Sequence, residues 1–550
     1  GTTTTTATAA TAATATAAAA TATAVHNGTG VVVVEEPTDD NPRPRVPRVV
    51  EEYYTEDVQK KHPLNKVDHR TNPNGGGGGG PLLELLWCEH PDNNEEEEEK
   101  GGSNNNKNNK EKKEALHGQT LYLGGEIGSD GLIYCIPGHA DRILTIDPAT
   151  DKVRLFGPSL QSNGTKFKWL RGIPCHGGDV IYGLPCHADA VLRIDVKSGK
   201  VTQLPIPYES FYSQQSENVR DDEDAVKLAK QQRRMIWKYH GGCISPVDGC
   251  IYAVPQSSWH VLKIDPTTDE CTLVGPRLEG KYKWYGGVAS SLESGGAIYA
   301  VPQNASSVLR ITPSSITEHG TWPSGGHKWH GAAMSGNGVV VCVSNNVDTV
   351  LCIVPGDPGP TMVEIGSDEI IKTGRHRSDK KYKYLGAMAG PNGRVYIFPS
   401  GSEQVLEVDT SDIDNMTCRN VGPNLRDTGM ERIFQNKWQN GLTNPFDDCV
   451  YAIPLAGETL LRIDCSKSNT SRPVAIDDEE DVVVTTWPLP SPYEQLDKWE
   501  GAVQCPNGLI YTVPNNCKAV LKIQPCGWTK DDDAVGKGKN TSTTEDSVSK

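Results

Sequence analysis

Gly131-Leu-Ile-Tyr134-Cys-Ile-Pro137 carries the phrase Gly-x-Ile-Tyr-x-x-Pro, and the chain repeats it. The phrase returns around Tyr182, Tyr252, Tyr299, Tyr396, Tyr451 and Tyr511, with Pro185, Pro255, Pro302, Pro399, Pro454 and Pro514 three residues on. Gly338-Val-Val-Val341-Cys-Val-Ser344 is a degenerate copy, which makes eight. Successive spacings are 48, 70, 47, 42, 55, 55 and 60 residues. The shorter ones match the roughly 40–50 residues of a four-stranded propeller blade.

Two further phrases flank each copy. Before the tyrosine comes an aromatic residue, usually as Lys-Trp, followed by glycine. Examples are Lys168-Trp169, Lys283-Trp284, Lys328-Trp329, Lys437-Trp438 and Lys498-Trp499, with Tyr122, Trp237 and Tyr384 assigned to the same slot elsewhere. After each proline comes a polar loop and then Val-Leu-x-Ile-Asp, as at Ile143–Asp147, Val191–Asp195, Val261–Asp265, Val405–Asp409 and Leu460–Asp464. A fourth apolar stretch follows in several copies. Each repeat therefore reads as four short strands, A to D, of β-branched and aromatic residues bounded by turn formers. Asp147-Pro148 and Asp265-Pro266 open tight turns between C and D, because proline presets φ and aspartate bonds the nearby backbone. The fold class is all-β: a propeller of eight four-stranded blades, with seven the alternative. The last repeat lacks its own strand D, and Leu82–Trp87 is the candidate to complete it.

The propeller is assigned to residues 116–528. Residues 1–115 read as a mostly disordered arm: a Gly/Thr/Ala tract over 1–24, a glycine run Gly75–Gly80, an acidic run Glu95–Glu99 and an Asn/Lys stretch Asn104–Lys113. Such segments cannot bury enough apolar surface to offset chain entropy. Residues 529–550 read as a disordered tail. The tails explain why only 36% of the 550 residues are hydrophobic. A net charge of −16 excludes non-specific nucleic-acid binding, which needs clustered Lys and Arg. No apolar run is long enough for a membrane-spanning helix. The fifteen cysteines form no CxxC pair and read as small buried hydrophobes, which favours an intracellular chain. Six glycosylation sequons, at Asn27, Asn163, Asn304, Asn415, Asn469 and Asn540, keep secretion as the alternative.

The order Gly-x-Ile-Tyr, then Val-x-x-Ile-Asp-Pro-x-Thr, resembles kelch-type blades, although the kelch Gly-Gly and late Trp are absent. Ile181-Tyr-Gly-Leu-Pro185 through Ser198-Gly-Lys-Val-Thr-Gln-Leu-Pro205 is similar to streptogramin lyase-like propellers. The Lys-Trp-x-Gly-Gly and Ile-Tyr-x-x-Pro combination also resembles repeat proteins of unicellular algae and protists. The resemblance covers about 120–527 and implies the fold. Function has to come from the site.

By analogy with propellers, strand A is innermost, and the D–A and B–C loops share one face. The pairs Lys168-Trp169, Lys283-Trp284, Lys328-Trp329, Lys437-Trp438 and Lys498-Trp499 are then expected as a cationic, aromatic collar at the channel mouth. That collar would suit a sugar or an anion. The architectural reading is that Trp fills the wedge between blades. His139 and His187, each followed by Ala-Asp, stand in equivalent B–C loops as acid–base or ligand-binding candidates. Insertions at 206–234, 366–381, 424–435 and 471–496 crowd the same face. There is no H-E-x-x-H, G-x-S-x-G, P-loop or dinucleotide fingerprint, so no metal and no cofactor is implied. The expected function is a monomeric, non-catalytic binding or scaffold propeller that recognises a protein or glycan. The alternative is a hydrolase or lyase using rim His and Asp.

Overall fold

A computed structural model describes residues 32–34, 48–50, 80–89, 116–160, 166–214, 222–366, 371, 382–433, 436–465, 482–490 and 497–529. The acidic run, the Asn/Lys stretch, the tail after residue 529 and much of the expected insertions lie outside these residues. The chain divides into two units, residues 1–65 and 66–550. In the first, Val32–Val34 and Arg48–Val50 pair antiparallel.

The second unit holds eight four-stranded antiparallel sheets, each ordered A-B-C-D. These are the blades of a β-propeller. Their A strands are Tyr122–Ile127, Trp169–Cys175, Tyr239–Ile244, Trp284–Ala289, Trp329–Met334, Tyr384–Ala389, Trp438–Asn444 and Trp499–Gln504. Neighbouring A strands touch all round the ring, including the eighth against the first. In blade 8, strand D is Leu82–Trp87, which pairs residue for residue with Ala519–Gln524. The chain then runs on to blade 1, where the Glu89 amide donates to the Val153 carbonyl (2.8 Å) and Arg154 pairs with Glu89 (2.6 Å).

Strand A begins with a buried aromatic in every blade. Trp169, Trp284, Trp329, Trp438 and Trp499 are at most 2% exposed, and each indole N–H donates to a carbonyl at the start of its own blade's strand C (2.8–3.0 Å). A large apolar ring fills the wedge while its polar edge stays satisfied. In blade 3 the slot belongs to Tyr239, which pairs with Pro255, and not to Trp237. Aromatic residues stand at both positions there, so the two-residue offset was invisible in the sequence. The predicted Asp turns form: Asp147 accepts from the Ala149 amide (2.9 Å), and Asp265 from the Thr267 amide (2.8 Å).

The residue before each aromatic decides how blades join. Seven blades have lysine there: Lys168, Lys238, Lys283, Lys328, Lys383, Lys437 and Lys498, none more than 5% exposed. Each ammonium donates to carbonyls in the B–C loop of the preceding blade. Lys437 reaches Ser400 and Ser402 (2.8 and 2.5 Å), Lys328 reaches Ala305 (2.8 Å), and Lys238 reaches His187 and Ala188 (2.8 and 3.1 Å). Most backbone amides of these lysines also donate into that loop, as Lys168 does to Gly138 (3.0 Å). Blade 1 has Leu121 in this place, and its seam with blade 8 is the one the closing strand spans. A loop carbonyl buried without a partner costs about 1–3 kcal/mol, so each lysine satisfies groups the seam would otherwise leave unpaired.

Helices α1 (Tyr208–Gln214) and α2 (Asp222–Arg233) connect blades 2 and 3. Tyr208, Tyr212, Ala225 and Ala229 bury against Trp259, Leu262 and Leu273 of blade 3. Arg233 holds Glu209 through two bonds of 3.1 and 2.6 Å. None of the fifteen cysteines is in a disulfide, and twelve are buried.

The seams make stability sensitive to one side chain and to pH. Lys437→Ala orphans two carbonyls and leaves a hole, so it should cost on the order of 2–4 kcal/mol in urea unfolding. A loss below about 1 kcal/mol would mean that the ammonium does not hold the seam. Burial pushes Lys283 and Lys437 down to about 7, and Lys328 and Lys498 to about 8. Between these values and the ordinary lysine range near 10.4, the unfolded chain binds more protons, so stability should rise as pH climbs from about 7. Buried thiols such as Cys505, raised to about 12, act oppositely once unfolded thiols ionise near pH 9. Urea midpoints should therefore peak near pH 9; a flat profile from 7 to 9 would contradict this account.

Candidate functional site

The structure places the expected collar inside the wall. The ten Lys and Trp residues of the five Lys-Trp pairs lie in the blade seams, with their polar groups bonded to backbone. They are not a solvent-facing ring. His139 and His187 do share one face of the ring, but as packing residues: the Phe167 ring lies 4.4 Å from His139 and 5.4 Å from His187, and Trp237 lies 5.0 Å from His187. Burial, reinforced by lysine charges, lowers His139 to about 4 and His187 to about 3, so both are neutral at pH 7. Asp189 is paired with Lys238 (3.1 Å).

Above the A strands, this face is closed. Phe167, Trp237 and Tyr282, which precede the seam lysines, pack with Leu123, Leu170 and Cys186. The residue following each strand A aromatic then converges on the axis: Leu123, Leu170, His240, Tyr285, His330, Leu385, Gln439 and Glu500, all at most 7% exposed. Tyr285 is stacked between His240 (3.5 Å) and His330 (3.7 Å), both tilted 32°. The Gln439 amide donates across the axis to the Tyr285 hydroxyl (3.5 Å) and to Glu500 (3.0 Å). These eight side chains form a plug.

Beyond the plug lies a chamber of about 550 Å³ lined by the A strands. Exposure rises toward the end of strand A in six of the eight blades, reaching 38% at Ile244, so the chamber opens on the face of the A–B loops. That is the face opposite the one expected. Its wall is unusual because every strand A carries a bulge: pairing slips between Trp284 and Gly287, between Trp329 and Ala332, and at the equivalent place in the other six blades. The third residue of strand A is Gly124, Gly241, Gly286, Gly331, Gly386 or Gly501 in six blades, Arg171 in blade 2 and Asn440 in blade 7; it is unpaired in six blades, whereas Gly386 pairs with Phe398 and Asn440 with Ile453. At Gly286 and Gly331, φ is 72° and 76°, which glycine adopts without strain.

Arg171 occupies the same left-handed conformation, φ 70°, with a full side chain. For a residue with a Cβ that costs roughly 1–2 kcal/mol. Its guanidinium donates to the Asn440 side-chain oxygen (3.0 Å), joining the two positions that interrupt the glycine ring. Glu126 belongs to the adjacent strand A of blade 1. Burial raises its carboxyl to about 7, and the Arg171 charge partly opposes the rise. Asn440 Nδ2 and Gln504 Oε1 are buried without a partner among the described residues. No cluster of metal-ligating side chains occurs among the described residues.

Sequence reasoning pointed to the channel but missed Arg171, Asn440 and Glu126. The available signal was the interruption of the glycine column when the eight A strands are aligned.

No family model and no curated protein matches this chain. Among solved structures, it is similar to a streptogramin B lyase at 13% identity, with 68% of this chain and 95% of that one covered and a TM-score of 0.42. A catalytically inactive virginiamycin B lyase from Staphylococcus aureus with quinupristin matches at 11% identity, covering 81% and 99%, with a TM-score of 0.42. A putative 6-phosphogluconolactonase from Bacteroides uniformis matches at 12% identity, covering 54% and 84%, with a TM-score of 0.36. These likenesses concern the fold. The kelch resemblance rests on the sequence phrases alone.

Removing the guanidinium should raise Glu126 further, since its charge is what favours the carboxylate. In Arg171→Met, carboxyl titration by NMR or infrared should place Glu126 above about 7, and an unchanged or lower value would mean that the two groups do not interact.

Proposed function

We propose that this protein is a binding propeller that takes a small polar molecule in the blind chamber along its axis. The observation that carries the reading is Arg171. A chamber wall built of glycine at six of eight equivalent positions carries, at a seventh, a strained arginine with one bond to the protein. Strain retained at a position where glycine would serve is the mark of a functional residue. The chamber volume lies within the roughly 300–1,000 Å³ of small-molecule pockets. The plug and the apolar packing above it favour this chamber over the loop-rich face. They also count against acid–base chemistry by His139 and His187, whose rings are packed against Phe167 and Trp237.

Arg171→Gly tests the reading. It relieves the left-handed strain and removes one hydrogen bond, so unfolding free energy should stay within about 1 kcal/mol of the parent. In a thermal-shift panel of sugars, amino acids and organic acids, a compound that stabilises the parent should have no effect on the variant. Equal stabilisation of both proteins would move the site away from the chamber, and a large loss of stability would make Arg171 architectural.

A further inference from the structure

The chamber's lining also selects a class of ligand, a selection that rests on the proposed binding function. Arg171 is the only lysine or arginine among the described lining residues, and two carboxyl groups, Glu126 and Glu500, share that lining. Apart from the bond to Asn440, its N–H groups have no partner among the described residues. A guanidinium with free parallel N–H groups matches a carboxylate in a bidentate pair. A dianion in the same place would meet Glu500 and Glu126 with twice the repulsion and only one compensating cation.

The rest of the wall offers hydrogen bonds to neutral groups. In blades 4 and 5, Gly286 and Gly331 have no cross-strand partner, so their backbone groups are outside the sheet ladder. At Gly286 and Gly331 an added Cβ would meet nothing within 4 Å, so bare backbone borders open space. Asn440 Nδ2 supplies an unmatched donor and Gln504 Oε1 an unmatched acceptor on the same wall. Hydroxyl groups both donate and accept, and they suit such a mixed, side-chain-poor surface. Both faces of the Tyr285 ring in the plug are covered, by His240 and His330.

We infer that the chamber binds a polyhydroxylated carboxylate monoanion, a sugar acid, with the carboxylate on Arg171 and the hydroxyls on the bulge backbone, Asn440 and Gln504. The test is calorimetry on the full chain near pH 7 with D-glucuronate, D-glucose, propionate and glucose 6-phosphate. Glucuronate should bind at least about tenfold more tightly than glucose or propionate, the scale of one charge-assisted bond or a set of neutral ones. Glucose 6-phosphate should be weaker than glucuronate. Arg171→Gly should lose glucuronate binding, whereas Glu126→Gln, which removes a neighbouring negative charge, should strengthen it above pH 7. That gain is a readout that mere damage to the chamber would not produce. Glucose binding as tightly as glucuronate, tighter binding of the phosphate, or no glucuronate binding at roughly 10 mM would each overturn the inference. Any other compound whose binding disappears in Arg171→Gly would leave the chamber as the binding site while overturning this ligand class.

Discussion

A lysine ammonium caged by backbone carbonyls is the contact on which this ring depends. A B–C loop must turn back at the edge of its blade, and its carbonyls point into the seam with the next blade. Strand pairing cannot satisfy them there, and water cannot reach them. In seven of the eight seams one lysine, buried just before strand A, supplies up to three donors at the right depth. The next residue, an aromatic, fills the wedge. The same two-residue unit therefore solves the polar and the apolar problem of joining blades. Repeating it seven times builds most of the wall.

A wall fixed in that way leaves the axis free. The second residue of each strand A is not needed for the seam, and it turns inward to close one end. The third stands at or beside the bulge and is glycine in six blades. Two blades depart from that rule, and their side chains meet across the channel. The protein thus repeats the same chemistry in seven of its eight seams and places charged and polar departures along the axis. A ring of equivalent positions acquires one direction and one charged spot without changing its frame.

The blades were legible because each carries the same local phrases, and a phrase repeated eight times outweighs the ambiguity of any single short strand. Gly-x-Ile-Tyr-x-x-Pro and Val-Leu-x-Ile-Asp mark strands B and C by composition and turn chemistry alone. The place of the lysines was not legible. Lys-Trp reads equally well as an exposed collar and as a buried rivet, and only the neighbouring blade's carbonyls decide between them. Lys238-Tyr239 and Lys383-Tyr384 belong to the same set but hide behind the tyrosine. The open end of the channel was also beyond reach, because closure depends on side chains from all eight blades converging on the axis. Arg171 was visible as a letter. Its meaning came from the glycines that stand in its place elsewhere.

Blade 8 joins strands roughly four hundred residues apart in the chain, Leu82–Trp87 and Ala519–Gln524. On a ribosome, the first of these emerges long before its partner exists. At typical synthesis rates the interval is on the order of half a minute. During that time Leu82 and Trp87, still largely exposed in the finished protein, belong to an unpaired strand, while seven blades accumulate with an open seam at each end. Ring closure is therefore the last event, and it sets a period in which an incomplete propeller is open to pairing with another copy's strand.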